Sequence, residues 1–132
     1  MAPMGKRIHV LKCWPESFDA VLAGRKRFEI RKRDRDYQVG DYLVLRRFDP
    51  ELKEYTDIGF GRDFGGAWLM RLVTYMTVGT EPWAFEGFVV LSLSSPKDIH
   101  QEDRQMTRFV QEAMGLGMPP QLFWDRVQSV AP

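Results

Sequence analysis

Along the first forty residues the spacing of apolar positions changes period twice. Ile8 and Val10 alternate against His9, which predicts a short strand from Arg7 to Lys12. In "WPESFDAVLAG" the spacing turns helical. Phe18, Val21 and Leu22 fall on one face, Pro15 suits a first helical turn, Glu16 and Asp19 suit the positive end of the helix dipole, and Gly24 is the stop. Period two then returns in "KRFEIRKR", with Phe28 and Ile30 on one face and Arg27, Glu29, Arg31 and Arg33 on the other. The expectation is that Phe28 and Ile30 turn to the core and carry the charges outward as a row.

"DRDYQVGD" reads as a turn, with Gly40 free to take a positive φ, and "YLVLRRF" as an apolar strand. "EYTDIGFG", "AWLMRLVTYMTV" and "FVVLSLSS" have the β-branched and aromatic content of further strands, separated by the loops "RDFGG" and "TEPWAFEG". The tail changes character. "SPKDIHQEDRQMTRFVQEAMGLG" spaces Ile99, Met106, Phe109, Val110 and Met114 for an amphipathic helix, and "PPQLFWDRVQSV" starts a second one, so residues 98–128 read as a helical extension. About six strands with one early helix predict an α+β fold whose sheet curls into a small barrel. With 132 residues and no internal repeat, the chain is expected to form one domain.

Charge adds to this picture only when the chain is divided. The overall net charge is +1, but the first 47 residues carry 12 Lys and Arg against 6 Asp and Glu, and the remaining 85 carry 7 against 12. Seven of the basic residues lie between Gly24 and Asp36. A basic first third suits an anionic partner such as nucleic acid, and suits equally a basic surface balanced by an acidic helix elsewhere in the fold. The single cysteine, Cys13, admits no internal disulfide, and with His9 and His100 it makes no zinc set. No metal or cofactor is expected. "IHVLKCW" is too short to span a bilayer and is followed by no small-residue cleavage site, which leads to the expectation of a cytoplasmic protein away from membranes.

Several residues carry candidate chemistry, each with a plainer reading beside it. Glu29, in one row with Arg31 and Arg33, can orient an arginine, read a base amino group or act as a general base; it can equally be a cross-strand ion pair worth under about 1 kcal/mol. Lys26, past the Gly24 turn, suits proton transfer or phosphate binding, or is a solvated turn residue. Trp14, Tyr37, Trp68 and Trp83 offer faces for base stacking, although most aromatics in a small domain serve the core. His9 reads as a hydrogen-bonded strand histidine. Asp34, Asp36 and Asp41 read as turn residues, not magnesium ligands.

The blocks "HVLKCWPESFDAVLAGRKRFEIRKRDRDYQVGDYLVL", "RLVTYM" and "GFVVLSL" together resemble the ASCH-related domains of the PUA-like superfamily, in particular a small bacterial and phage group with G-x-K-x-F-E-x-R and V-G-D motifs. The resemblance runs from His9 to about Leu93. It implies a PUA-like barrel with a helix over its opening, and binding of single-stranded RNA or a nucleotide in the cleft between them. That cleft would be lined by Lys12, Trp14, Arg25, Lys26, Glu29, Arg31, Arg33 and Asp34, with Lys26 and Glu29 as the candidate catalytic pair if a bond is cleaved. Some similar domains are associated with RNA cleavage, for which Glu29 or His9 with Lys26 and Arg31 supply a base and cations. Another branch deacetylates N-acetylated cytidine with a Lys and a Thr three residues later. Glu29 stands at that Thr position, and a carboxylate does not replace a hydroxyl nucleophile without a new intermediate, which argues against carrying the activity over. The Gly-rich stretch 59–66 replaces a shorter hairpin and reads as a lid over the cleft or as a plain longer hairpin.

Overall fold

The computed structural model describes residues 7–58, 66–78, 86–95 and 101–116, without the side chains of 101–103. Eight elements follow in chain order: β1 (Ile8–Cys13), α1 (Pro15–Leu22), β2 (Phe28–Lys32), β3 (Tyr42–Asp49), β4 (Glu54–Tyr55), β5 (Trp68–Val78), β6 (Phe88–Leu93) and α2 (Gln101–Met114). The fold is α+β: a six-stranded mixed sheet with two helices. Its strand order is β1-β3-β5-β6-β2, with β4 on the far end of β3. β1 runs parallel to β3, and every other pair is antiparallel.

The 11-residue β5 joins two halves of the sheet. Its first half pairs with β3 (Val44 opposite Met70), and its second half pairs with β6 (Thr77 opposite Val90). The register slips between Val73 and Tyr75, where Thr74 is the extra residue. A bulge bends its strand and deepens the twist. Among the described residues the strand path stays open, with no ladder between β1 and β2.

Alternation along the strands sorts the apolar side chains into two cores. Leu43, Leu45, Leu69 and Val73 face inward with Leu11, Cys13, Val89, Leu91 and Leu93, and α1 closes this side with Phe18 and Val21. The opposite face, Tyr42, Val44, Trp68 and Met70, is covered by Met106 and Val110 of α2 with Leu116 just beyond it. α1 begins at Pro15, with Trp14 extended as its N-cap, and ends at Gly24, whose φ of 80° allows the chain to turn into β2. The last turn of α1 holds no basic residue. Arg71 takes up that role from β5: buried, it donates through Nη2 to the Val21 carbonyl at 3.4 Å and through Nη1 to the Met70 carbonyl at 3.0 Å. Burial pushes its guanidinium down to about 10. On the other flank Arg47 grips Asp19 with two bonds, 3.0 and 3.1 Å, tying α1 to β3.

One expectation is reversed. Phe28 and Ile30 are 43% and 45% exposed, and it is Glu29, 3% exposed, that turns inward with Arg31 half-buried behind it. The period-two pattern is correct; the face is not. Glu29 tolerates the interior because all of its charge is matched there, as the site geometry shows. The strand expected over "EYTDIGFG" is limited to Glu54–Tyr55 within the described part, and its remainder from 59 onward, Trp83 and the second tail helix lie outside the described residues.

Candidate functional site

The site is assembled where the chain leaves α1 and enters β2. Gly24 places Lys26 back over α1, with the Arg25 and Lys26 amides both bonded to the Ala20 carbonyl at 3.0 and 3.1 Å. Lys26 Nζ donates to Ser17 Oγ on the helix and to Glu29 Oε1 at 3.2 Å on the strand. Glu29 Oε2 accepts from Arg31 Nε at 3.0 Å and lies 2.9 Å from Arg31 Nη2. Arg31 Nη2 also donates to the Lys12 carbonyl at 2.9 Å, so its guanidinium bridges the two end strands of the sheet, β2 and β1. One carboxylate is therefore shared by two cations, and one of those cations closes the gap between sheet edges that share no ladder.

Cys13 forms the floor. Its thiol is pushed up to about 11, chiefly by burial and next by the negative charge of Glu29, against the opposing pull of the Ser17 hydroxyl and of the Arg31 and Lys26 charges.

A cavity of about 390 Å³ is lined by Arg33, Asp34, Tyr37, Gln38, Met76 and Val89 among others, and Val89 is the cross-strand partner of Arg31. Its loop is pinned from below. His9 Nε2 and Asp41 Oδ2 are 2.8 Å apart and both buried, the same Asp41 oxygen accepts the Gln38 amide at 2.9 Å, and the His9 ring lies 4.7 Å from that of Tyr37. Asp36 is held by Arg7 at 2.7 Å and by Gln38 Nε2 at 2.6 Å, which lowers its carboxyl below the usual range. Asp34 is within 3.6 Å of Arg35. The three aspartates are thus taken up by hydrogen bonds and ion pairs of the loop, with Gln38 bonded to both Asp36 and Asp41, and His9 is a structural strand histidine.

Of the residues expected in the cleft, Lys26, Glu29 and Arg31 come together, and Arg33 and Asp34 line the cavity instead. Arg25 is exposed at the rim. Lys12 is not in the cluster: its side chain points to the opposite face of β1 from Cys13 and its Nζ stands 4.4 Å over the Phe48 ring, leaving only its carbonyl in the cleft. Trp14 is 64% exposed beside the start of α1, whereas Tyr37 and Trp68 are buried. Sequence reasoning missed Ser17 and Cys13. No local signal marks them, because they meet Lys26 and Glu29 only once the chain has turned at Gly24.

The family described as "Domain of unknown function (DUF3850)" matches residues 8–93, which spans β1 to β6 and all of the cluster. Over 45 residues the chain is 47% identical to an "Uncharacterized 12.9 kDa protein in GpA 3'region" of Escherichia phage P2. That similarity covers 34% of this chain and 41% of the phage protein.

Proposed function

The chain belongs to the family described as Domain of unknown function (DUF3850), and we propose that this shared core is a nucleic-acid-binding module that takes single-stranded RNA or a nucleotide in the cleft beside β2. The observation that carries the reading is an imbalance among the cations. Lys26 and Arg31 are engaged by Glu29, Arg35 by Asp34 and Arg7 by Asp36. Arg25, Arg27, Lys32 and Arg33, all exposed, carry no ion pair among the described residues. Arg33 stands on the wall of the 390 Å³ cavity, and Arg25, Arg27 and Lys32 precede it in the chain, a run of cations that suits phosphates along β2 with a base or ribose in the cavity. Glu29, with both oxygens occupied, is the group that orients Arg31.

We further infer that the open sheet is a PUA-like barrel of the ASCH-related kind in a cytoplasmic protein. The bulge in β5, α1 packed on one face of the sheet and the Arg31 bridge from β2 to β1 support this. The test is retention of labelled single-stranded RNA in excess EDTA across a salt series. Four phosphate contacts give a slope of about −3 in log K against log salt. Replacing Arg25, Arg27, Lys32 and Arg33 by Gln should flatten it towards zero, and an unchanged slope would remove these residues from the interface.

One contact favours a second reading, a metal-independent ribonuclease or a hydrolase of a modified nucleoside. Lys26 Nζ stands between a hydroxyl, Ser17 Oγ, and a carboxylate, Glu29, an arrangement able to move a proton. Product length on a gel in the same incubations tests it. Cleavage by the wild type that disappears in a folded Glu29→Gln variant supports catalysis; intact RNA throughout leaves a binding module.

A further inference from the structure

The inward turn of Glu29 places apolar side chains on the outer face of the sheet. Phe28, Ser92 and Tyr75 stand side by side across β2, β6 and β5 in one cross-strand row, followed by Ile30 and Val90 in the next and by Lys32 opposite Phe88 in the third. Tyr75 is 64% exposed and Phe88 37%. Phe28 and Tyr75 are two strand spacings apart, about 10 Å between their backbones, and the residue between them is a serine. The row therefore sets an aromatic side chain on either side of a small one, a spacing that leaves room for a slot between them.

We infer that this slot is a stacking site for an unpaired base, a second contact surface for the single-stranded nucleic acid whose phosphates meet the rim; the inference rests on the nucleic-acid reading above. Three observations lead to it. Two rings separated by a small residue form a gap suited to a flat heteroaromatic group, and base stacking accepts any base. The charge of the surface is complementary to a polyanion: Glu29 is the only carboxylate on β2, β5 and β6, and it faces the other way. Cations flank the slot, with Lys26 Nζ 5.3 Å from the centre of the Phe28 ring, Arg27 beside it and Lys32 on the same face. Lys26 thus touches both the interior cluster and the outer wall, which makes the two surfaces continuous for one strand.

Fluorescence anisotropy with a short labelled oligouridylate, and with an RNA duplex of equal length, tests the slot at low salt. Phe28→Ala and Tyr75→Ala should each weaken oligouridylate binding by about 5- to 100-fold with no change in salt slope, because a ring meets no phosphate. Tyr75→Phe should stay near wild type, and the duplex should bind more weakly than the single strand. If both Ala variants bind as wild type does while Arg25→Glu and Arg33→Glu bind worse, the slot is refuted and the nucleic-acid reading survives. If the Ala variants instead abolish a dimer in light scattering without moving RNA affinity, the face covers a second copy and the slot is refuted. A wild type that binds neither probe overturns the nucleic-acid reading and the slot with it.

Discussion

Replacing Glu29 by Leu is the sharpest probe of β2, because the two possible faces of that strand give opposite outcomes. With Glu29 inward, the substitution removes a carboxylate that is 3% exposed and accepts bonds from both Lys26 and Arg31. Breaking a buried charge pair by deleting one partner costs about 3–5 kcal/mol, most of it from the charge left behind. Here the abandoned side chains keep 24% and 23% of their surface, so water recovers part of their solvation and about 2–4 kcal/mol remains. For a chain of this length that is a fall of roughly 10 °C in Tm. The control is Ile30→Ala, which removes a side chain already 45% exposed and should cost about 1 kcal/mol or less. Urea unfolding followed by tryptophan fluorescence and far-UV circular dichroism reads both. A cheap Glu29→Leu together with an Ile30→Ala cost of about 3 kcal/mol would mean that Ile30 faces the core and that the ion cluster does not exist in solution. Removing all three charges at once, with Lys26→Met and Arg31→Met added, should recover much of the loss, since a buried ion cluster exchanged for apolar groups of similar size is often neutral.

Other predictions address the floor, the loops and the rim. The Cys13 thiol binds its proton more tightly folded, at about 11, than unfolded, near 9.0, so its contribution is complete below pH 9 and is lost as pH rises through 11. The wild-type advantage over Cys13→Ser should therefore shrink across that window by up to about 3 kcal/mol; a constant difference would mean that the thiol is not desolvated. Gly66 has φ of 86°, and a Cβ there would lie 2.8 Å from the Tyr55 Cβ and 3.0 Å from the Thr56 backbone, so Gly66→Ala should destabilise by about 2–4 kcal/mol in the same urea assay. Lys53 holds φ of 55° at the tip between β3 and β4, and Lys53→Gly should raise the unfolding midpoint by about 0.5–1 kcal/mol equivalent. A midpoint that falls instead would show that this conformation carries no strain.

How far the chain can be read without its fold is clearest at β2. Period two in "KRFEIRKR" locates the strand and separates its faces, but it is symmetrical: it does not say which face the core takes. The ordinary preference for apolar burial chose Phe28 and Ile30. It failed because Glu29 has a cation three residues before it and another two residues after it, and these complete its solvation from within the same segment. The helix start at Pro15 and the positive-φ turns at Gly24 and Gly40 were legible, because local backbone chemistry fixes them. Ser17 and Cys13 were not, since their nearness to Glu29 exists only once β2 lies beside α1. Arg71 is the same case at longer range: nothing in its apolar strand points to its acceptor at Val21, 50 positions away.

The place of β2 in the sheet also bears on how the chain assembles as it is made. β1 and β3 both emerge within the first fifty residues and can pair early, whereas β2, made between them, pairs with β6 alone, the last of the described strands to emerge. Until roughly sixty further residues have left the ribosome, β2 has no ladder, and Phe28 and Ile30 wait on an unpaired strand. Non-local pairing of this kind is slow, and an unpaired apolar strand is where nascent chains aggregate. The density of arginine and lysine around that strand is then also a safeguard, keeping it soluble through the interval before β6 arrives.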